Sequence, residues 1–130
     1  MTFLTSDSII ANTDNIISGA GAGKKRLRDF IDSGKSANLS VYVSVDMDVF
    51  DPSIAPGVVN PEPNGILYRD FTQLISELKG KKIIGLDCVE IKPLGENKVT
   101  EFLAVKVIFE LLSLVFSRLE KEADAEAGVG

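Results

Sequence analysis

Histidine is absent from all 130 residues. Any mechanism in which this chain supplies an imidazole base or an imidazole metal ligand is therefore excluded. Cysteine occurs once, as Cys88. No internal disulfide can form, and a reducing, cytoplasmic setting is expected. No apolar run reaches the ~20 residues that span a bilayer, and the N-terminus lacks a signal-peptide pattern. No membrane partner is expected. Positive charge is also scarce, with 14 Lys and Arg against 19 Asp and Glu and a net charge of −5. A phosphate backbone would require a basic face, so no nucleic-acid partner is expected. The acidic balance suits a metal ion or a cationic ligand instead.

What is present is enough to fold. The apolar fraction is 45% and the charged fraction 25%, which supports a buried core in a chain of single-domain size. One domain is expected over residues 1–119, followed by a small, charged and flexible tail at 120–130. Residues 1–14 are weakly patterned. A short strand at Ile16–Ser18 and a glycine turn at Gly19–Gly23 lead to a helix at Lys24–Ser33, whose Leu27, Phe30 and Ile31 share one face. Leu39–Asp46 is the best strand, apolar enough to be buried on both faces of a parallel sheet. Met47–Ile66 is a long loop holding four of the five prolines. Tyr68–Lys79 is an amphipathic helix, with Phe71, Leu74, Ile75 and Leu78 on one side. Lys82–Ile91 is a second strand, which Pro93 prevents from extending. Val99–Leu119 is a long helix, apolar round most of its circumference, able to fill an intrachain groove and a subunit contact together. The order β-α-β-loop-α-β-α implies an α/β fold with a parallel sheet and right-handed crossovers.

The densest chemical signal is VYVSVDMDVFDPSIAPGVVNPEPNG, Val41 to Gly65. Residues two apart on a strand share a face, so Asp46 and Asp48 are expected to project side by side. Two adjacent carboxylates repel each other, and a divalent cation relieves that repulsion. All-oxygen ligands favour a hard ion such as manganese or magnesium. Asp51, followed by Pro52, fits turn chemistry instead. Glu90 closes the second strand. Sites in parallel sheets lie beyond the carboxyl ends of the strands, so Asp46, Asp48 and Glu90 converge on one rim. Asp87 falls on the opposite face from Glu90 by strand alternation and is read as a hydrogen-bond acceptor.

Other motifs are weaker. GAGAGKK at Gly19–Lys25 fails the phosphate-loop pattern, because Ser18 and Lys25 occupy positions that require glycine and Ser or Thr. Cys88 reads as a small core residue. An apolar strand followed by Asp46-Met47-Asp48-Val49 also resembles the nucleophile motif of haloacid-dehalogenase-type phosphohydrolases. In that alternative Asp46 would attack phosphorus, but Asp87 and Glu90 supply the required downstream acidic pair poorly.

The segment SVDMDVFDPSIAPG, Ser44 to Gly57, resembles the signature of the ureohydrolases, the arginase/agmatinase family. The continuation Pro61-Glu62-Pro63-Asn64-Gly65 is similar to the agmatinase branch. DCVEIKP, Asp87 to Pro93, and TEFLA, Thr100 to Ala104, resemble two further family segments in the same order. The resemblance implies a partial three-layer α/β/α arginase-like fold. It implies hydrolysis of a small cationic guanidino compound, such as agmatine, to an amine and urea at a pair of manganese ions. Asp46 and Asp48 match two metal-ligating aspartates at the catalytic centre, and Glu90 matches the glutamate that pairs with the substrate guanidinium. The family's histidine-bearing motifs have no counterpart here, and Lys92 stands where asparagine is common. The chain therefore looks like the C-terminal half of a ureohydrolase. It is expected to be inactive alone, and to form a homo-oligomer or pair with the missing N-terminal half. A non-catalytic or degenerate subunit is the alternative reading.

Overall fold

The computed structural model describes residues 2–5, 29 and 40–128. The expected strand at 16–18, the glycine turn at 19–23 and, apart from Asp29, the helix at 24–33 lie outside the described residues. The described part contains three strands, β1 (Thr2–Thr5), β2 (Ser40–Asp46) and β3 (Lys82–Val89), and two α-helices, α1 (Tyr68–Ile75) and α2 (Val99–Ala127).

β2 and β3 pair in parallel, with Ser44 opposite Asp87 and Asp46 opposite Val89. β1, which pattern alone does not reveal, adds an antiparallel edge on the other side of β2. The β2–β3 register slips between Val41 and Tyr42. Val41 faces Ile83, Tyr42 faces Gly85, and Ile84 is the extra residue, 58% exposed. This bulge resets the alternation, so that Ile83, Leu86 and Cys88 all join one core. Strict alternation along KIIGLDCV would have divided them.

β2 is buried on one face rather than two. Val41, Val43 and Val45 are buried, whereas Ser40, Tyr42, Ser44 and Asp46 are only partly covered. The valine face packs with Phe71, Leu74, Ile75 and Leu78 from α1 and its continuation, and with Ala104, Val107 and Leu111 of α2. The Tyr68 hydroxyl donates to Glu110 Oε1 at 2.6 Å and ties α1 to α2. α1 gives way to a 3-10 turn at Ser76–Leu78, and Gly80 follows with φ +80°, a conformation that glycine adopts without steric cost.

The Met47–Ile66 loop has no long regular element, yet it is well anchored. Phe50 and Ile66 form an isolated parallel bridge. A Cβ on Gly65 would overlap the Asp51 backbone nitrogen, so only glycine permits this approach. Asp51 Oδ1 accepts from Ser53 N at 2.9 Å and Oδ2 from Asn64 N at 3.1 Å. These contacts fulfil the turn role read from Asp51-Pro52, and hydrogen bonding from the Ser53 side chain, aided by these backbone amides, holds the carboxyl below the usual range. Gly57 donates from its backbone nitrogen to the buried Thr100 Oγ1 at 2.7 Å and accepts from Lys92 N at 2.8 Å.

α2 continues to Ala127, past the Leu119 limit set by apolar spacing. Glu120–Ala127, read as tail, is rich in alanine and glutamate, good helix formers that need no packing partner to continue a turn. Arg118 and Glu122, four apart on this stretch, form an ion pair. No helix among the described residues is long and apolar enough to cross a membrane.

Candidate functional site

The site is built where β2 and β3 end together. Asp46 is the last residue of β2 and also the N-cap of a 3-10 turn, Met47–Val49. Its Oδ1 accepts from Asp48 N at 2.9 Å. Asp48 therefore lies within the turn, not on an extended strand, and the expected side-by-side projection from a strand is replaced by a strand end curling over its own cap. The two aspartates are linked through this backbone-to-side-chain hydrogen bond. Strand periodicity stops at Asp46, two residues before Asp48, because an aspartate side chain competes for the backbone amide two positions on. Met47 between them is fully buried and anchors the turn in the core.

Glu90 follows Val89, the register partner of Asp46. It has a left-handed backbone, φ +64°, which is uncommon outside glycine and asparagine. The outlier ends β3 and re-aims the chain. The Glu90 carbonyl accepts from Val59 N at 3.3 Å. The next loop residue, Asn60, donates from its backbone N to Asp48 Oδ1 at 3.1 Å and from Nδ2 to Asp48 Oδ2 at 3.1 Å. One dipeptide, Val59-Asn60, thus bridges the two strand ends that carry the acidic residues. Neither residue was singled out from the sequence. The only signal available was the position of Asn60 in the proline-rich segment after the aspartates.

On the partly covered face, Asp87 accepts from Tyr42 Oη at 2.8 Å and Ser44 Oγ at 2.6 Å. Asp87 is a hydrogen-bond acceptor, as its strand position led us to expect. Tyr42 reaches it because its ring lies over Gly85: a Cβ there would sit 2.6 Å from Tyr42 Cε2. The hydrogen bond to Asp87 raises the Tyr42 pKa. Cys88 is half-buried, and burial, with the Asp87 and Asp46 charges behind it, pushes its thiol up to about 11. Burial thus favours the protonated thiol at Cys88.

Asp46 and Asp48 offer the hard oxygen donors that suit manganese or magnesium. Among the described residues, no three His, Cys, Asp or Glu side chains gather in a metal-holding cluster. The two carboxylates fit as part of a donor set and do not complete one.

Comparison with known proteins identifies the fold and the family. The family model described as the arginase family matches residues 10–113. The mitochondrial arginase of Medicago truncatula is 45% identical over 73 residues, which are 55% of this chain and 21% of that protein. The structure of proclavaminate amidino hydrolase from Streptomyces clavuligerus superposes with a TM-score of 0.64 at 35% identity, covering 77% of this chain and 32% of that one. Agmatine ureohydrolase of Thermoplasma volcanium gives a TM-score of 0.60 at 35% identity, covering 80% and 35%. This chain therefore spans between a fifth and about a third of the length of these relatives. With the family model matched over residues 10–113 and a partial α/β architecture shared with these structures, the chain belongs to the arginase family.

Proposed function

We propose that this chain supplies the C-terminal part of a manganese-dependent ureohydrolase site, which hydrolyses an agmatine-like guanidino compound to an amine and urea. Asp46 and Asp48 would hold the metal, and Glu90 would pair with the substrate guanidinium. A carboxylate and a guanidinium match in two parallel charge-assisted hydrogen bonds. When bound, such ions supply Lewis acidity and lower the pKa of water. The remaining donors come from histidines on an upstream segment or on another chain, since this one has none. The relatives' printed names, an arginase, a proclavaminate amidino hydrolase and an agmatine ureohydrolase, support guanidino or amidino chemistry as the common class.

The observation that carries this reading is the Val59-Asn60 bridge, which binds the Asp48 carboxylate and the Glu90 carbonyl into one rim. Calorimetric titration of the chain with manganese tests it. Weak binding that disappears in Asp48→Asn is expected, with no urea released from agmatine by the chain alone. Heat unchanged by that substitution would overturn the assignment. Among the described residues no third ligand side chain joins Asp46 and Asp48, which leaves one second reading, a non-catalytic subunit. Urea release on adding a histidine-bearing partner segment would exclude it.

A further inference from the structure

A hollow lies at the end of the fold opposite the acidic rim. Its volume is about 360 Å³, within the range of small-molecule sites, roughly 300–1,000 Å³. One wall is the Lys79-Gly80 turn, which follows the 3-10 turn after α1 and leads into β3. The other is the C-terminal half of α2, from Leu114 to Ala125. β3 runs from Lys82 to Val89, so about 23 Å of strand separates this hollow from the end that carries Glu90. Both walls are built by this chain alone.

The walls are firm. Lys79 N donates to the Ser76 carbonyl at 3.2 Å, and Lys81 N to the Leu78 carbonyl at 2.9 Å. Gly80 makes the bend between them with φ +80°. Leu114 lines the hollow and packs against the core, which gives it an apolar floor. Arg118 is paired through Nη2 with Glu122. A guanidinium carries five donors in a fixed plane, so this pair orients the group and leaves donors over for a ligand.

Charge decides the occupant. Lys79, Arg118 and Lys121 line the hollow against a single carboxylate, Glu122, in a chain whose net charge is −5. Among the described residues neither Lys79 nor Lys121 makes an ion pair. Arg118 and Lys121 stand more than one turn before the end of α2 at Ala127, beyond the reach of its end dipole, so offsetting that dipole does not account for them. An apolar protein layer laid over the hollow would trap Lys79 and Lys121 unpaired, at a heavy desolvation cost. An anion instead meets them in charge-assisted hydrogen bonds. We infer that this hollow binds a small organic anion, with a carboxylate or phosphate head among Lys79, Arg118 and Lys121 and a short aliphatic body against Leu114. The site owes nothing to the chemistry proposed for Asp46, Asp48 and Glu90, so a failure of either proposal leaves the other standing.

Amide NMR titration of the full 130-residue chain with four probes tests the site. Hexanoate and hexyl phosphate should each give saturable shifts at residues 79–81 and 114–122, and the tighter of the two names the head. Inorganic phosphate should bind at least roughly tenfold more weakly than hexyl phosphate, since two buried methylenes suffice for that factor. Hexylammonium should not bind. Lys79→Gln combined with Lys121→Gln, both at exposed positions, should retain the helical circular dichroism. That variant should bind hexanoate at least roughly tenfold more weakly, the worth of one hydrogen bond to a charged group. Lys92→Gln, an exposed lysine beyond the other end of β3, should leave binding unchanged. No saturable shift, equal binding of hexylammonium, inorganic phosphate as tight as hexyl phosphate, or undiminished binding by the double variant would each overturn the inference.

Discussion

Asn60 grips both oxygens of Asp48, its backbone N lying 3.1 Å from Oδ1 and its Nδ2 3.1 Å from Oδ2. The amide thereby fixes the orientation of a carboxylate that would otherwise rotate freely at the end of a turn. Groups that orient a ligand from behind alter metal affinity by about 10–100-fold when removed. Asn60→Ala keeps the backbone contact and loses the side-chain one. A stability change within about 1 kcal/mol is expected, together with a manganese affinity about tenfold weaker. Manganese-induced broadening of NMR lines would report both the affinity and the intact fold.

Substitution can separate the capping role of Asp46 from the metal-binding role proposed for it. Its Oδ1 accepts from Asp48 N and closes the 3-10 turn. Asp46→Asn retains that oxygen and should leave urea unfolding unchanged while removing manganese binding. Asp46→Ala removes the cap as well and should cost about 1 kcal/mol. Equal manganese binding by Asp46→Asn and the native chain would refute the ligand role.

Glu90 holds a left-handed backbone, φ +64°. For a residue with a Cβ this costs roughly 1–2 kcal/mol. Glu90→Gly relieves the strain and should raise stability by up to about 1 kcal/mol. The same change removes the carboxylate proposed to meet the guanidinium. A variant more stable in urea yet unable to take substrate in the completed enzyme would show strain retained for a purpose. A destabilised Glu90→Gly would refute this account.

Gly85 leaves room for the Tyr42 ring. Gly85→Ala should displace the ring, lengthen the Tyr42–Asp87 hydrogen bond and cost about 1–3 kcal/mol. Most of that penalty should vanish in the Tyr42→Ala background, where no ring meets the new methyl group. Chemical denaturation of the four proteins in the cycle would measure the coupling.

Cys88 is predicted to be inert near neutral pH. Folding raises its pKa from 9.0 to about 11, chiefly by burial. The stability this protonated thiol contributes is full below pH 9.0 and is lost as pH rises through about 11. Cys88→Ala should flatten the fall in stability over that interval. At pH 8, alkylation of the folded chain should run about 100-fold slower than in urea, from the smaller thiolate fraction alone.

The parts of the fold that rest on side-chain periodicity were readable in advance. Val41, Val43 and Val45 alternate, and Phe71, Leu74, Ile75 and Leu78 recur at helical spacing. Both patterns led directly to β2 and to the core face of α1. Asp46 and Asp48 stood out because carboxylates that continue an apolar strand conflict with burial. What could not be read depended on geometry between distant segments. The bulge at Ile84 follows from pairing with β2. The bridge from Asn60 to Asp48 crosses twelve residues of loop. The left-handed φ of Glu90 accompanies the contact of its carbonyl with Val59 N, and glutamate has no preference for that conformation. The one-sided burial of β2 likewise depends on which layers cover it, and local pattern does not record that.

The proline-rich connection from Met47 to Ile66 is closed on itself by the Phe50–Ile66 bridge and by Asn60 on Asp48, and is tied to the end of β3 through Val59 and Glu90 and to α2 through Gly57 and Thr100. A segment pinned at so many points has little motional freedom left to lose when a small cation arrives. It therefore acts as a prebuilt wall rather than a flap, and discrimination among guests would come from fixed shape, with no folding-over step to slow their entry or departure.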